Sequence, residues 1–423
     1  MSISIETRSL PDRQAPIFQQ VPDVLARVYA ARGVIDLNDL GRGLKELLPV
    51  TQMAGIPAAV ERIALAMENQ ERILILGDFD CDGATSTAVA ISALTSMGAS
   101  DVDYLVPNRF EFGYGLSPEI VEVAAEKSAQ LIITVDNGIS SVEGVERANA
   151  LGIDVIVTDH HLAGSELPSA VAIVNPNQPS CIFPAKSTCG VGVIFYVMIA
   201  LRRYLDEQGW FLTKQIPAPN LGELLDLVAL GTVADVVALE KNNRVLVHQG
   251  LQRIRAGHLR PGLRALLAVA DRDTRSITAA DLGFAIAPRL NAAGRLDDMS
   301  LGIECLLART DEDANIFAQQ LNQLNLDRRG IESDMQQQAQ VLLDDLNIKQ
   351  EGLPFGICLF NQDWHQGVIG ILASRVKEKY HRPVVAFAPA ENGELKGSAR
   401  SIAGFHIRDG LDAIAAKHPA LLR

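Results

Sequence analysis

Short apolar segments alternate with segments of helical periodicity between residues 71 and 176, and this alternation predicts the fold. Five apolar runs of strand length lie in ERILILGD, DVDYLVP, AQLIITVD, IDVIVTD and AVAIVNP. Segments with helical apolar spacing separate most of them, at residues 83–97, 118–127 and 142–151. Strands that alternate with helices predict an α/β fold with a doubly wound, mainly parallel sheet, whose ligands gather at the carboxyl ends of the strands.

The rest of the chain is predicted to be helical on both sides of this region, with a second β/α region at its end. Helical spacing at residues 24–32 and 37–48 predicts a helical lead-in over 1–55. A helical part completes a large domain over 56–305, and a segment rich in Gln and Asp predicts one or two long connecting helices within 306–350. The strands FGICLF, PVVAFAP and LKGSARS, with helices at GVIGILASRVKEKY and IRDGLDAIAA, predict a smaller α/β domain over 351–423.

Composition places the chain among proteins of the cytoplasm with a large apolar core. A chain of 423 residues is too long for one ordinary core, so two or three domains are expected. Its 48% of hydrophobic residues fit an α/β protein with ample core. The longest apolar stretch, at 191–201, is too short to cross a bilayer, so no membrane association is predicted. The N-terminus carries no secretion signal pattern. Five cysteines without a CxxC pair argue against a disulfide framework or a zinc finger and favour a reducing compartment.

The net charge of −13, from 38 basic and 51 acidic residues, argues against a protein coated with nucleic acid. It leaves room for an enzyme that acts on nucleic acid. A groove needs only a local basic lining, and a carboxylate-rich metal site adds negative charge of its own.

The segment GDFDCDGATS places Asp78, Asp80 and Asp82 where the first predicted strand ends. A single aspartate there would be explained as a helix N-cap, because its side chain and charge suit the first turn of a helix. Three carboxylates so close together repel one another unless a cation lies among them. This cluster therefore predicts a metal site.

Three further acidic motifs follow along the chain. Asp136 in VDNGISS ends the third strand, where a turn-forming role is the alternative, and Asp159, His160 and His161 in TDHH end the fourth. Asp235 lies within the apolar run GTVADVVAL. An isolated buried carboxylate there would cost several kcal/mol, roughly, unless a cation or hydrogen bonds compensated it.

All of these motifs except that of Asp235 lie at strand ends, so the predicted topology brings them to one crevice. Oxygen ligands with one imidazole suit Mn²⁺ or Mg²⁺ better than Zn²⁺. Two such ions can generate hydroxide from water and stabilise the leaving oxygen of a phosphoester. The pattern predicts metal-assisted hydrolysis.

The four clusters, in this order, resemble the motifs of the DHH phosphoesterase superfamily, and most closely those of its single-strand-specific DNA exonucleases. The resemblance covers nearly the whole chain through DFDCDGATST, VPNRFEFGYGLSPE, ITVDNGISS, VTDHHL, LGTVADVV, PRLNAAGRLDD, WHQGVIGILASR and GSARSIAGFHI. It implies that 56–305 form a DHH catalytic domain and that 351–423 form a DHHA1-like substrate-binding domain.

The resemblance also implies the roles of the site residues. Two ions, Mn²⁺ or Mg²⁺, would be bound, one by Asp82, Asp136, His160 and Asp235, and the other by Asp78, Asp80 and Asp136, with Asp136 bridging. Asp159 would orient the pair of histidines, and His161 would face the scissile phosphate as an electrophilic or proton-donating group.

Eight further residues are implied to contact DNA: Arg109, Tyr114, Arg289, Asn291, Arg295, His365, Ser398 and Arg400. Arg109 is a candidate for a phosphate contact and Tyr114 for base stacking, with a surface salt bridge and ordinary packing as their alternatives. Ser398 and Arg400 would recognise the 5′ end. Trp364, by contrast, is predicted to belong to the core.

The function that the resemblance implies is a 5′-to-3′ exonuclease that acts on single-stranded DNA in recombination and repair and releases 5′-mononucleotides. Single-stranded DNA is the expected substrate, with a single-strand-binding protein and a helicase as candidate partners. A channel between the two domains would exclude duplex DNA. The family's glycine-rich segment and OB-fold domain do not follow within these 423 residues, so the second domain is expected to be incomplete.

Two alternatives stay open at this point. One is another DHH enzyme, such as a nanoRNA or cyclic-dinucleotide phosphodiesterase, although such enzymes are usually shorter and lack the NRFEFGYG and PRLNAAGRLDD segments. The other is a non-catalytic DNA-binding scaffold, which would have no reason to keep so many acidic and imidazole groups together.

Overall fold

The computed structural model describes residues 9, 15–107, 115–345, 354–390, 393–408, 410–411 and 414. The chain forms two compact units. The first comprises Met1–Asn291 with Met299–Gln319, and the second comprises Ala292–Asp298 with Gln320–Arg423. The domain limits anticipated from the sequence, at 55, 305 and 350, remain predictions.

The first unit contains a five-stranded parallel sheet in the order β2-β1-β3-β4-β5. Its strands are β1 (Ile73–Leu76), β2 (Val102–Leu105), β3 (Leu131–Val135), β4 (Asp154–Thr158) and β5 (Ala172–Val174). The chain passes from β1 to β2 on one side and returns to form β3 on the other. The crevice outside the carboxyl ends of β1 and β3 is therefore the topological switch point, where ligands of such folds bind.

The strand register aligns the predicted site residues in one row. Leu76 pairs with Thr134, so two residues further Asp78 is level with Asp136. Val135 pairs with Thr158, so Asp136 is level with Asp159. The row lies at the carboxyl edge of the sheet, as the strand pattern predicted.

Helices lie between the first four strands, as predicted, and most of the chain between β5 and β6 is helical. The α-helices are α1 (Ile17–Gln20), α2 (Asp23–Ala30), α3 (Ile56–Asn69), α4 (Cys81–Ser96), α5 (Pro118–Glu126), α6 (Val142–Ala150), α7 (Gly190–Glu207), α8 (Trp210–Lys214), α9 (Leu225–Ala234), α10 (Lys241–Arg255), α11 (Pro261–Val269), α12 (Ala279–Asp281), α13 (Ala287–Leu296), α14 (Ser300–Leu307), α15 (Asp311–Asp345) and α16 (Ile369–Tyr380). A π-helical segment, Leu282–Ile286, precedes α13.

Helices cover both faces of the large sheet, which confirms the doubly wound α/β prediction. On one face Leu74 and Leu76 pack with apolar side chains of α5 and α6. On the other, α3, α4 and α7 lie against the strands. Because both faces are covered, the central strands β1 and β3 are buried along their whole length rather than at alternate positions.

The helix predicted over 37–48 is wrong. The segment forms two short 3₁₀ helices, Leu37–Leu40 and Leu44–Glu46. Gly41 and Gly43 between them have extended backbone angles, which end the first helix and precede the second. Apolar spacing alone did not reveal these breaks.

The second unit contains β6 (Ile357–Phe360), β7 (Val384–Pro389) and β8 (Leu395–Arg400) in the order β6-β7-β8, with β7 and β8 antiparallel. The predicted strands and the helix α16 are confirmed, and α15 is one helix of 35 residues. Trp364 lies in the core of this unit, as predicted, and its indole donates a hydrogen bond to Gln338. Half of the residues of the helix predicted at IRDGLDAIAA lie outside the described residues, so this helix stays a prediction. Among the described helices, none combines the length and hydropathy that crossing a membrane requires.

Candidate metal centre

The capping explanation holds for only one of the three aspartates after β1. Asp80 is the N-cap of α4, and its Oδ1 accepts hydrogen bonds from the amides of Asp82 and Gly83 at 2.9 and 3.0 Å. Asp78 and Asp82 are buried and do not cap the helix. Two buried carboxylates next to a third require another source of stabilisation.

Asp82 receives part of that stabilisation from the first turn of α7. Its two carboxylate oxygens accept hydrogen bonds from the amides of Gly190 and Val191, at 2.7 and 2.9 Å. The N-terminus of a helix favours such an anion. Burial nevertheless holds the pKa of Asp82 well above its ordinary range, and the nearby Asp235 and Asp80 raise this pKa further.

Gly190 was not singled out in the sequence, yet the centre depends on it. A Cβ atom at this position would lie 2.5 Å from the Cβ of Asp136, closer than such atoms can approach. The available signal was a glycine at the start of the apolar helical run in STCGVG. The need for glycine at this position arises because α7 begins against Asp136, and the sequence of the helix does not reveal that contact.

Two backbone positions at the centre lie in the left-handed region. Asp136 has φ of 64° and Val236, which follows Asp235, has φ of 60°. This conformation costs about 1–3 kcal/mol for a residue other than glycine, and a β-branched residue adopts it rarely. Strain of this kind clusters at functional sites, and here it lies at Asp136 and directly after Asp235. Asn137 supports the turn by donating to the carbonyls of Leu76 and Val135, at the ends of β1 and β3.

Three buried polar atoms converge at the centre. Nε2 of His160 lies 3.0 Å from Oδ1 of Asp136 and 3.5 Å from Oδ2 of Asp235. None of these atoms has a hydrogen-bond partner among the described residues. Leaving a buried polar group unsatisfied costs about 1–3 kcal/mol, and more for a charged group. A cation among them would satisfy all three at once.

The electrostatics of these groups point the same way. Burial lowers the pKa of His160 to about 4, so its ring is the neutral form that binds metals. Burial, together with repulsion from Asp80, raises the pKa of Asp235 to about 7. Burial and repulsion from Asp82 hold the pKa of Asp136 well above its ordinary range. Carboxylates that destabilise one another in this way are typical of a site that binds cations.

The predicted ligands form two neighbouring groups with potential ligand atoms within 4.8 Å of one another. One is Asp78, Asp80 and Asp136, and the other is Asp82, His160 and Asp235. Oδ1 of Asp136 also approaches His160, so this carboxylate joins the two groups. The residues therefore fit two hard divalent ions, with oxygen ligands and a single imidazole.

Asp159 holds His161 rather than the ring of His160. Its Oδ1 accepts the backbone amides of His160 and His161 and lies 2.8 Å from Nδ1 of His161, while Oδ2 accepts the amide of Ile139. The hydrogen bond to Asp159 raises the pKa of His161 to about 9. At neutral pH the half-exposed His161 is thus a cation beside a neutral His160. Asp136, His160 and His161 also form a possible ligand group, but a protonated His161 does not bind a metal ion.

The predicted DNA-contacting residues of the first unit fall into three cases. Asn291 lies against the acidic cluster, where its Oδ1 accepts the amide of Cys81 at 2.7 Å. Arg289 donates to the backbone carbonyls of Ala285 and Val269. Arg109 and Tyr114 lie outside the described residues.

In the second unit, Ser398 and Arg400 lie over the first turn of α16. Nη1 of Arg400 donates to Oγ of Ser398 at 3.0 Å, and Nε donates to Oγ of Ser374 at 2.9 Å. A Cβ atom at Gly370 would lie 2.7 Å from Nη2 of Arg400, so the guanidinium is close to the helix backbone. We call Ser374, Ser398 and Arg400 the hook.

His365 and Arg295 lie at the loop that precedes α16. Nδ1 of His365 accepts the amide of Gly367 at 3.1 Å, and Nη1 of Arg295 donates to the carbonyl of Gly367 at 3.4 Å. Together with the hook, these residues gather polar groups of the second unit around the start of one helix.

Comparison with known proteins identifies the family. Residues 72–232 match the DHH family, N-terminal domain, and residues 353–419 match the DHHA1 domain. The single-stranded-DNA-specific exonuclease RecJ of Escherichia coli K12 is 55% identical over 411 residues, which cover 97% of this chain and 71% of that protein. The chain belongs to the RecJ family.

Solved RecJ structures agree with this assignment. The structure of a RecJ exonuclease bound to manganese is 33% identical, with a TM-score of 0.73 and coverage of 86% of each chain. RecJ from Thermus thermophilus in complex with Mg²⁺ is 30% identical, with a TM-score of 0.72 over 98% of this chain and 55% of that one. RecJ enzymes have thus been solved with both of the ions that the ligand types predicted.

Proposed function

We propose that this chain is a metal-dependent exonuclease that degrades single-stranded DNA from its 5′ end and releases 5′-mononucleotides in recombination and repair. The convergence of unpartnered buried atoms of Asp136, His160 and Asp235 carries the proposal. Membership of a family of single-strand-specific exonucleases gives it the substrate.

The residues would divide the work of binding two ions between the two ligand groups. Asp78 and Asp80 would hold one ion, and Asp82, His160 and Asp235 the other, with Asp136 between them. When bound, two Mn²⁺ or Mg²⁺ ions lower the pKa of water and stabilise negative charge on the attacking and leaving oxygens.

His161 supplies positive charge from the chain itself. Its imidazolium, held by Asp159, lies beside the acidic centre and is half-exposed, so it can meet a phosphodiester. Hydrolysis adds water across the bond between phosphorus and the 3′ oxygen of the terminal nucleotide. His161 can stabilise the charge on the phosphoryl oxygens or give a proton to that leaving oxygen.

The hook is proposed to recognise the 5′ phosphate. Arg400 offers a rigid guanidinium fork and Ser398 offers a hydroxyl, and both lie over Gly370 in the first turn of the 12-residue helix α16, whose positive end favours an anion. His365, Arg295, Arg289 and Asn291 are proposed to contact the sugar-phosphate backbone, as are Arg109 and, by stacking, Tyr114. Recognition of a 5′ end would set the direction of degradation.

The cellular setting follows from this substrate. Single strands arise when a helicase separates a duplex, and a single-strand-binding protein covers them, so both are proposed partners. The protein is proposed to act in the cytoplasm, on single strands of chromosomal DNA. All five cysteines are free, in keeping with a reducing compartment.

The decisive experiment follows nucleotide release from a long single-stranded oligonucleotide labelled at its 5′ or 3′ end. We expect 5′-mononucleotides to appear first from the 5′ label, with Mn²⁺ or Mg²⁺ and not with chelator. Asp136→Ala should be inactive, whereas Asp334→Ala, an exposed aspartate of α15, should match the wild type. Hydrolysis confined to dinucleotides or cyclic dinucleotides would instead indicate a different DHH enzyme, and DNA binding without release would indicate a scaffold.

A further inference from the structure

We infer that Asn175 and Asn177, in the loop after β5, are positioning residues that set the two histidines of the metal centre. The inference rests on the proposed function, because it names what holds the ligands of that site. The strand register already points to this loop. Thr158 pairs with Val174, so Asn175 is level with Asp159 and extends the row of site residues across the sheet.

Each asparagine holds the main chain of one histidine. Nδ2 of Asn175 donates to the carbonyl of His161 at 2.9 Å, and Nδ2 of Asn177 donates to the carbonyl of His160 at 2.5 Å. The side chain of Asn175 is fully buried. The carbonyls of His160 and His161 lie beyond the end of β4, where none of the described strands pairs with them and orients them.

The loop is closed on itself, so the two amides are held in place. Oδ1 of Asn175 accepts the amide of Asn177 at 2.7 Å. Asn177 also donates to the carbonyl of Lys186, and the ammonium group of Lys186 donates to the carbonyls of Pro176 and Cys181. Loop residues that bond one another in this way lose little freedom when they hold a third group, which favours precise positioning.

The same segment continues into α7, where the amides of Gly190 and Val191 hold the carboxylate of Asp82. One stretch of chain, residues 175–191, thus contacts both histidines and a carboxylate ligand. This connection explains why the asparagines matter for the ions rather than for the loop alone.

The physical consequence concerns the direction of the imidazole rings. The carbonyl of His160 belongs to the peptide between the two histidines, so the bond from Asn177 restrains the backbone angle ψ of His160 and φ of His161, and with them the places from which both side chains start. Residues that orient a metal ligand typically contribute 10–100-fold, roughly, to metal affinity. We therefore expect loss of either asparagine amide to weaken ion binding without removing a ligand.

The test measures Mn²⁺ binding to the DNA-free full chain by electron paramagnetic resonance, with thermal melting recorded alongside. Asn175→Ala and Asn177→Ala remove the amides, and Asn177→Asp removes the donor while keeping the shape. The matched control is Gln178→Ala, because the Gln178 amide is also buried in this loop but donates to Ile173 instead of a histidine.

We expect the Mn²⁺ dissociation constant to rise about 10–100-fold in the asparagine variants and to stay unchanged in Gln178→Ala. Saturating Mn²⁺ should restore most of kcat, with an unchanged KM for DNA. Wild-type Mn²⁺ affinity in a folded Asn177→Asp variant, or an equal loss in Gln178→Ala, would overturn the inference. Failure of the proposed function looks different, because the wild type itself would then bind no Mn²⁺ or would bind it as well as Asp136→Ala does.

Discussion

The acidic centre of the first unit and the hook of the second are both polar sites, yet they are built in opposite ways. In the acidic centre, buried atoms of Asp136, His160 and Asp235 have no partner among the described residues. In the hook, the Arg400 guanidinium donates to Ser374, to Ser398 and to the carbonyl of Ala399. The buried groups of the acidic centre need a cation to stabilise them, whereas the polar groups of the hook are hydrogen-bonded to one another.

The contrast indicates how each site is expected to work. Cations bound among the carboxylates relieve their mutual repulsion, so ion binding to the first unit is favoured. The polar groups of the hook already have hydrogen-bond partners, so binding a ligand relieves no unfavourable interaction there. The hook is therefore expected to recognise a chain end without binding it tightly. Changes at the acidic centre should therefore affect catalysis far more than changes at the hook.

The greatest loss of activity is expected at Asp136. Asp136→Asn removes the charge shared by the two ligand groups while keeping the shape of the side chain. Hydrolysis should fall by more than the roughly 10²–10³-fold that follows loss of one electrostatic stabiliser. The measurement is the initial rate of mononucleotide release, and Asp334→Asn on the exposed face of α15 serves as the control.

The same variant also tests whether the centre is strained without ions. The pKa of Asp136 is raised in the folded chain, so the metal-free protein loses stability as pH rises above the ordinary range of an aspartate. Asp136→Asn removes that loss. Its melting temperature in chelator at neutral pH should therefore exceed that of the wild type, and a lower value would contradict the repulsion described above.

A more moderate loss is expected at His161. His161→Ala removes the imidazolium but leaves the predicted ligands in place. The rate should fall about 10²–10³-fold, as expected for one lost electrostatic stabiliser. Mn²⁺ affinity should change little, and this separates His161 from His160, whose replacement should weaken Mn²⁺ binding. An equal loss of Mn²⁺ affinity in both variants would indicate that His161 is itself a metal ligand.

Asp159 acts through His161, so its replacement should reduce the rate less than loss of His161 itself. Asp159→Asn weakens the hydrogen bond that raises the pKa of His161 to about 9. The imidazolium is lost as pH rises through this pKa, so wild-type activity should decline above about pH 9. In the variant that decline should begin at lower pH, with a loss of about 10–100-fold near neutrality. A pH profile of kcat checks both expectations, and an unmoved alkaline limb would rule out this role of Asp159.

The position of the acidic row could be predicted from the sequence, and the reason is local. Asp78, Asp136 and Asp159 each end an apolar strand, and parallel strands end at one edge of a sheet. Asp235 was recognisable from a different signal, a carboxylate within an apolar run. Its place at the end of α9 depends on packing that the run does not encode.

The site residues that the sequence did not reveal owe their roles to contacts between distant parts of the chain. Gly190 is required because α7 begins against Asp136, and Asn177 matters because its loop folds back on His160. Neither relation leaves a periodic pattern. The wrong prediction of a helix at 37–48 has the opposite cause. The periodic apolar pattern was present there, but the backbone angles of Gly41 and Gly43 interrupt the helix.

The mildest change is expected at the hook, where it would test how far the two sites differ. Arg400→Lys keeps a positive charge but loses the fork that contacts Ser374 and Ser398. Because loss of a hydrogen bond to a charged group costs at least roughly 1.5 kcal/mol, preference for a 5′-phosphorylated over a 5′-hydroxyl strand should fall at least about tenfold. The rate on a saturating 5′-hydroxyl strand should be unchanged, with Arg382→Lys, whose half-buried side chain donates to backbone carbonyls, as the control. An undiminished preference would remove 5′ recognition from the hook, whereas a fall in rate on both strands would mean that Arg400 supports the chemistry and that the two sites are not independent.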